Sequence, residues 1–356
     1  ALVTDWSTAT LAQPSHAAAI LFKLDSVLAD DDLLQAELNA RAMASAGTLF
    51  PSPTTPVSDS FEKALLVWES NNLLSLPVTE TVAHPTAFGV GTNAPRVNVT
   101  RTLHAPNGHA TIRIPTGLYA APGEIVTVQV PAGFQGLGLR VRISHLRTDL
   151  GDSNYYHMPF QQVYFDLNAP SVAIASPFGG LISIEAAAGE DGITNVVFGF
   201  NNVVEAPYYV HGVTTDLEWV GGIRDRETPF GVLVTDKTIH VIESEAHLRS
   251  LSDPEQVMQI WEDMILRIEE FYSYTTYRPL RIHHDYQPAG GVSTFPQSYG
   301  VTSVMLDYTS LVNFGYPLTH HEYGHIVDPS QMHIQNFSEA APNFGGIYAS
   351  RFFLPF

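Results

Sequence analysis

The chain has 356 residues, no cysteine and a formal net charge of −19 at pH 7. This length is too great for one ordinary hydrophobic core, so we expect two or three domains. The negative charge repels phosphates, which argues against a nucleic-acid partner and against anionic membrane surfaces. Without cysteine the chain forms neither disulfides nor thiolate metal sites.

Membrane and export signals are absent from the pattern of the sequence. No apolar run approaches the roughly 20 residues that a membrane-spanning helix needs. Residues 1–5 lack the basic-then-apolar pattern of a secretory signal peptide. If the protein is exported, we therefore expect this sequence to be the mature form.

The first 80 residues have the pattern of a helical segment without catalytic motifs. Apolar residues recur near helical spacing between residues 15 and 46. Asp59 or Ser60 can cap a further helix, whose apolar residues would face inward. These apolar residues are Leu65, Leu66 and Trp68. We expect this segment to serve in packing, in docking a partner or as a propeptide-like element.

From about residue 96 to residue 215 the pattern changes to short strands. Apolar and polar residues alternate in three stretches, and clusters of glycine and proline separate them, as in an antiparallel sandwich. The three stretches are residues 111–114, 125–130 and 139–143. Four histidines in this region lack the spacing of metal ligands, so we interpret them as surface or hydrogen-bonded residues. They are His104, His109, His145 and His157.

Residues 216–356 combine strands and helices. Gly231–Thr235 and Thr238–Ile242 have the pattern of paired strands. Asp253 can cap a helix that has Pro254 at its first position. Six apolar residues fall on one face of this helix. They are Val257, Ile260, Trp261, Met264, Ile265 and Ile268.

These patterns predict an α+β, multidomain chain. An N-terminal helical segment would occupy residues 1–80 and a β-sandwich-like domain residues 96–215. An α/β domain would occupy residues 216–356, and the H-E-x-x-H pattern at residues 321–325 would make it a zincin-type catalytic domain. The oligomeric state stays open at this point.

A zinc-protease motif lies near the end of the chain, where His321, Glu322 and His325 form the pattern H-E-x-x-H. On a helix, residues i and i+4 share a face, so both histidines can hold one Zn²⁺ ion. A water bound to such an ion has a pKa near ~7. Glu322 lies roughly 100° around the helix from His321, where it can take a proton from that water. We expect Gly324, which costs about 1 kcal/mol in a helix relative to alanine, to let another backbone come close.

A third protein ligand is needed, and few residues downstream of His325 can supply it. The metzincin pattern is excluded because positions 328 and 331 hold Asp328 and Gln331. Asp328 follows the motif too closely, whereas Glu339 can lie on a following helix and reach the metal. We take Glu339 as the third ligand, with Asp328 and His333 as alternatives.

The glycine-containing motif at residues 321–325, followed after thirteen residues by Glu339, resembles the H-E-x-G-H…E signature of the enhancin-like, mucin-degrading zinc metallopeptidases, which are of the gluzincin type. This resemblance implies a peptidase that cleaves O-glycosylated, mucin-like proteins beside a glycosylated Ser or Thr. A glycoprotein or peptide substrate is therefore the expected partner. The expected location is secreted or at the cell surface.

Three further segments support the resemblance. Residues 115–124 and 176–182 resemble turns in the strand-rich leading domain of that family, and residues 339–343 resemble its segment around the third ligand. The resemblance covers roughly residues 98–356. It leaves residues 1–80 without an account.

Two catalytic requirements have several candidates each. The oxyanion of the tetrahedral intermediate needs a donor besides the metal. Candidates for this donor are Tyr299, Tyr308, Tyr316 and His320. A metal-bound histidine commonly donates its second nitrogen to a carboxylate or a carbonyl, and Asp307 or Asp328 can serve as the acceptor.

Two other clusters have a functional and a structural interpretation. Trp219 with Arg224 and Arg226 can contact sugar, or can be a core tryptophan flanked by surface arginines. Residues 283–285, His-His-Asp, suggest a second metal. Adjacent residues on a strand face opposite ways, which disfavours that second site.

A non-catalytic protein that reuses the peptidase fold for glycan binding or assembly is the alternative function. Thirty-one residues follow His325, and the sequence ends in an apolar stretch at residues 351–356. The intact set of His321, Glu322, His325 and Glu339 favours the enzyme.

Overall fold

A computed structural model describes most of the chain between residues 51 and 352. The described residues are 51–84, 94–105, 112–146, 154–186, 193–245, 247–276, 278–283, 285, 292–294, 297–299, 303–314, 321, 323–325, 327 and 340–352. The helices predicted between residues 15 and 46 lie outside this set. The fold is a β-rich mixture of strands and helices.

The first described helix, α1 (Ser60–Ser75), packs on the strand-rich part of the chain. Asp59 Oδ1 accepts a hydrogen bond from the backbone N–H of Glu62 at 2.9 Å, which confirms Asp59 as the cap. Leu66, predicted to face inward, is fully buried in a cluster with Tyr155 and Phe178.

Eight strands between residues 97 and 205, here called the strand-rich region, are paired in antiparallel fashion. They are β1 (Val97–Ala105), β2 (Ile112–Ala120), β3 (Val126–Gln129), β4 (Arg140–Ile143), β5 (Val163–Asp166), β6 (Ser171–Ile174), β7 (Gly180–Ala186) and β8 (Ile193–Glu205). Their order is β5-β4-β7-β2-β8-β3-β6, and β1 pairs with β8. The long strand β8 joins two groups of strands, since it pairs with β1 and β3 of one group and with β2 of the other. The first group is β1, β3 and β6, and the second is β2, β4, β5 and β7. Buried side chains from both groups form one core.

A second sheet of six strands follows, here called the mixed sheet. Its strands are β9 (Tyr208–Val210), β10 (Phe230–Val234), β11 (Thr238–Glu243), β12 (Leu280–His283), β13 (Val292–Thr294) and β14 (Gln297–Tyr299). The order is β13-β14-β12-β11-β10-β9. The predicted pairing of β10 with β11 is confirmed and is antiparallel.

Helix α2 (Pro254–Tyr272) supplies the main apolar surface that covers the mixed sheet. Asp253 caps it as predicted, accepting a hydrogen bond from Gln256 N at 3.2 Å. All six apolar residues predicted for its inner face are buried. The indole N–H of Trp261 donates to Met305 O at 2.9 Å and so holds the segment before α3 (Tyr308–Phe314). The last described helix is α4 (Ala341–Ser350).

Short helical turns connect these elements. They are Val78–Glu80, Asp216–Glu218, Trp219–Ile223, Leu248–Ser250 and Ser303–Leu306. Among the described helices, none has both the length and the apolar character to cross a membrane.

The strand-rich region and the mixed sheet share a buried apolar cluster and a buried ion pair. In the apolar cluster, Tyr119 and Leu181 pack with Val232 and Val241. In the ion pair, His157 Nε2 lies 3.0 Å from Asp285 Oδ1, and the two side chains are 1% and 0% exposed.

Both ring nitrogens of His157 act as donors. Nδ1 lies 2.8 Å from Met158 O, an acceptor, so Nδ1 carries a proton while Nε2 faces the carboxylate of Asp285. Burial lowers the pKa of His157, but the charge of Asp285 and the hydrogen bonds outweigh it and raise the pKa above 6.5. The pair is therefore a charged clamp between residues 128 positions apart in the chain.

Replacing Asp285 by asparagine removes the charge that favours protonated His157. Because the folded-state pKa of His157 is raised, the pair stabilises the fold below the ordinary value of 6.5 and loses this effect as the pH rises through the folded value. We expect Asp285→Asn to lower the free energy of unfolding at about pH 6 by about 3 kcal/mol. The free energy of unfolding should also fall less steeply with rising pH in the variant than in the parent. Urea denaturation across a pH series measures both effects.

The exposed Asp225, which lies 3.8 Å from Arg224, offers a matched control. Asp225→Asn should keep the pH profile of the parent protein. An Asp285→Asn profile parallel to that of the parent would contradict the charged clamp.

Candidate metal centre

His321 and His325 lie on successive turns of one helix, here called the motif helix, whose described residues are 321, 323–325 and 327. Their Nε2 atoms are 3.1 Å apart, and their ring planes are nearly perpendicular at 88°. Two nitrogens that each bind a tetrahedral zinc at about 2.0–2.1 Å lie about 3.3 Å apart. The two imidazoles therefore have a separation that suits one shared zinc ion, and His325 is exposed to solvent.

Asn343 fixes the tautomer of His321. Its Oδ1 lies 3.0 Å from His321 Nδ1, and an amide oxygen only accepts, so Nδ1 carries the proton. In the neutral imidazole the lone pair then resides on Nε2, the atom that faces His325. Asn343 thus orients the ring of His321, as the hydrogen-bond partner of a metal-bound histidine does.

Asp307 and Asp328 were the residues predicted for this role, and Asn343 was not among them. Asp307 instead accepts hydrogen bonds from Thr309 N at 3.1 Å and Ser310 Oγ at 2.6 Å, and so caps α3. The sequence feature that could have pointed to Asn343 is its position directly after Pro342, at the start of a helix.

Tyr323 anchors the inner face of the motif helix in the core. Its hydroxyl donates to Glu269 Oε1 at 2.8 Å, and the same carboxylate accepts from Thr276 Oγ1 at 2.6 Å and from Lys237 Nζ at 2.7 Å. Burial favours a higher pKa for Glu269, but these hydrogen bonds hold the pKa below its ordinary value. Burial raises the pKa of Tyr323, and so does the charge of Glu269, so the phenol stays a donor.

Gly324 brings the motif helix against the start of α4. A Cβ atom at Gly324 would lie 2.6 Å from Pro342 Cα, which is closer than side chains approach. The prediction that this glycine admits another backbone is confirmed. Tyr272 holds α4 from the other side, because its hydroxyl donates to Ala341 O at 2.6 Å and accepts from Gly345 N at 3.2 Å.

The sugar-contact interpretation of Trp219 is wrong. Trp219 is fully buried, and its indole N–H donates to Leu251 O at 2.9 Å. Arg224 donates to the same carbonyl at 3.2 Å, and Arg226 donates to Ala206 O at 2.9 Å. The three side chains therefore stabilise the fold beside β9.

The second-metal interpretation of residues 283–285 finds no support, because Asp285 pairs with His157 and His283 stacks on His145 at 5.5 Å. In the described part of the chain, no three His, Cys, Asp or Glu side chains gather around one point. Several predicted site residues lie outside the described residues. They are Glu322, Glu339, Asp328, His333, Tyr316 and His320.

A methyl group at Gly324 tests the contact with Pro342. We expect Gly324→Ala to lower the free energy of unfolding by about 2 kcal/mol, because overpacking outweighs the better helix propensity of alanine. Urea denaturation measures this change. At Gly221 an added Cβ meets nothing within 4 Å, so Gly221→Ala should be neutral. A Gly324→Ala protein as stable as its parent would contradict the close approach.

The chain matches the models of two protein families, which together cover most of its length. The model for Peptidase M60, enhancin and enhancin-like, matches residues 202–354. The model for the N-terminal domain of M60-like peptidases matches residues 92–196. The two matches follow each other along the chain, and the Peptidase M60 match, the second in chain order, contains the motif helix.

This chain matches only a part of a longer curated relative. The TRPM8 channel-associated factor homolog of Xenopus laevis is 31% identical over 180 residues, which are 49% of this chain and 20% of the relative. The chain thus spans about a fifth of the length of the curated relative that it matches.

Two solved structures share the fold. A functionally unknown conserved protein from Bacillus anthracis str. Ames superposes with a TM-score of 0.59 at 16% identity, covering 72% of this chain and 56% of that one. The IMPa metallopeptidase from Pseudomonas aeruginosa superposes with a TM-score of 0.53 at 14% identity, covering 82% and 40%. IMPa has also been solved in complex with an O-glycopeptide. With both family models matched in order, this chain belongs to the family of enhancin and enhancin-like M60 peptidases.

Proposed function

We propose that this protein is a zinc-dependent endopeptidase that hydrolyses peptide bonds in O-glycosylated, mucin-like proteins. The observation that carries the proposal is the pairing of His321 and His325, with Nε2 atoms 3.1 Å apart and the tautomer of His321 set by Asn343. Membership of the M60 family supports peptide hydrolysis as the reaction.

Each member of the motif has a distinct role in this proposal. His321, His325 and Glu339 would hold the zinc, which would lower the pKa of a water toward neutrality and polarise the scissile carbonyl. Glu322 takes a proton from the attacking water and delivers one to the departing amine nitrogen. Tyr323 keeps the helix in place through Glu269, away from the reacting atoms.

The proposed domain layout follows the two sheets. Strands β10–β14 of the mixed sheet, with α2, α3 and α4, would form the catalytic domain over residues 216–356. A β-sandwich-like domain would occupy residues 96–215, whose strand β9 pairs with β10 of the catalytic domain. The O-glycopeptide complex of IMPa, a protein that shares the fold, supports a glycoprotein substrate. Such substrates place the enzyme outside the cell or at its surface.

A non-catalytic role in glycan binding or assembly is the second candidate. The observation that favours it is the name of the Xenopus relative, which describes association with the TRPM8 channel. In that role the histidine pair would be retained without turnover, and the carboxylate of Glu322 would have no function. A substitution of Glu322 therefore distinguishes the peptidase from the non-catalytic protein.

Changing Glu322 to glutamine removes the base and keeps the shape of the side chain. We expect Glu322→Gln to retain about one zinc per chain by elemental analysis and to lower kcat/KM on an O-glycosylated mucin by about 10³-fold. The exposed Glu245, paired with Arg249, gives the control Glu245→Gln with unchanged turnover. Full turnover in Glu322→Gln would contradict the mechanism, and zinc binding without turnover in the parent would favour the second candidate.

Asn343 tests the orientation of the proposed zinc ligand. Asn343→Leu removes the acceptor for His321 Nδ1 at similar volume, so we expect zinc affinity to fall by about 10–100-fold in a chelator competition titration. Asn343→Asp restores an acceptor and should recover most of the affinity. An Asn343→Leu protein that binds zinc as tightly as its parent would show that Asn343 does not position the ligand.

A further inference from the structure

A small cavity lies where the strand-rich region meets the mixed sheet. Its volume is about 40 Å³, and residues from β2, β4 and β7 line one side while residues from β10, β11 and β12 line the other. We propose that this cavity binds one small inorganic anion, of the size of a halide such as chloride, held by Arg113, Arg142 and Arg281.

The charge balance around the cavity supports an anion. Glu185 is the carboxylate of the cluster, with its oxygens 2.6 Å from Arg113 Nε, 2.9 Å from Arg140 Nη2 and 3.6 Å from Arg142 Nη1. Arg281 joins from the opposite sheet, donating from Nη2 to Arg113 O at 3.0 Å. Among the described side chains named here, three guanidinium groups thus contact one carboxylate, and Arg281 brings a fourth positive charge into the same cluster.

Two guanidinium donors point to a missing acceptor. Arg113 Nη1 and Arg281 Nε are buried, and neither has a hydrogen-bond partner in the described part of the structure. Arg281 is 3% exposed as a residue. A guanidinium stays protonated in proteins, so an unpaired buried donor on it carries a large desolvation cost that an anion would offset.

The histidines beside the cavity add donors and no negative charge. His145 and His283 stack with centroids 5.5 Å apart and planes at 16°. Burial lowers the pKa of His283 well below 6.5, and the positive charges of Arg113 and Arg142 contribute. Burial likewise lowers the pKa of Arg281, together with the charges of the same two arginines. Burial is the largest cause of both pKa shifts, and the positive charges of the neighbouring arginines add to it.

The size and the apolar walls of the cavity narrow the class of ligand. A volume of about 40 Å³ holds about three water-sized spheres, which suits a single small ion. Leu181, Val232 and Ile239 form part of the wall, and such a wall strengthens the attraction between an anion and the arginines. Water would fill the space without changing the charge balance. An anion would also link β2, β4 and β12 and so tie the two sheets together.

Crystallography with bromide tests the site directly. We expect crystals of the full chain grown in sodium bromide in place of chloride to show an anomalous peak in the cavity between Arg113 and Arg281 at the bromine absorption edge. A cavity that holds only water or a protein side chain under these conditions would overturn the proposal.

A solution measurement tests the same site. We expect Tm to rise saturably by about 2–4 °C when chloride replaces gluconate, an anion too large for the cavity, at constant ionic strength. Arg281→Met should lose this rise, whereas Arg267→Gln, at an exposed arginine paired with Glu270, should keep it. A parent protein indifferent to the exchange, or an Arg281→Met protein that retains the rise, would overturn the proposal. If Arg281→Met does not fold, the bromide peak and the chloride titration of the parent still decide.

Discussion

The close contact between Gly324 and Pro342 is the constraint on which the candidate site depends. Without a side chain at Gly324 the motif helix lies directly against the first turn of α4. The residue after Pro342 is Asn343, so this contact brings the amide oxygen within 3.0 Å of His321 Nδ1. The close approach of the motif helix to α4 therefore determines which ring nitrogen of His321 carries the proton.

Buried hydrogen bonds connect that helix pair to the rest of the fold. Glu269 on α2 joins Tyr323 of the motif helix to Lys237, which lies in the turn between β10 and β11. Tyr272, one turn further along α2, holds α4. A single helix thus fixes both partners of the Gly324 contact and relates them to the mixed sheet. The two histidines stay at the solvent side of this frame.

Local patterns in the sequence predicted the elements that local forces determine. The cap at Asp253 and the apolar face of α2 were predicted because helix ends and periodicity are properties of neighbouring residues. The pairing of β10 with β11 and the convergence of His321 with His325 follow in the same way. Family comparison confirms the resemblance to the enhancin-like peptidases. Glu339 as the third ligand stays a prediction.

Contacts between distant residues left no such pattern. Asn343 is 22 positions from His321, and Asp285 is 128 positions from His157. From the sequence alone, Asn343 and Asp285 could equally be surface residues, and only the fold shows their partners. The sequence left Trp219 open between a core position and a sugar site for a related reason, because an aromatic side chain has the same sequence appearance in both. Burial and the bond to Leu251 O decide between them.

Two of the tryptophans give the mixed-sheet half of this protein a fluorescence signal of its own. The chain has four tryptophans, and none lies in the strand-rich region between residues 97 and 205. Trp219 and Trp261 are fully buried around the mixed sheet. Loosening of the strand-rich region alone would change the far-ultraviolet circular dichroism while the emission of these two indoles stayed blue-shifted. Separation of the two signals during unfolding would then reveal whether the halves come apart in sequence or melt as one cooperative unit.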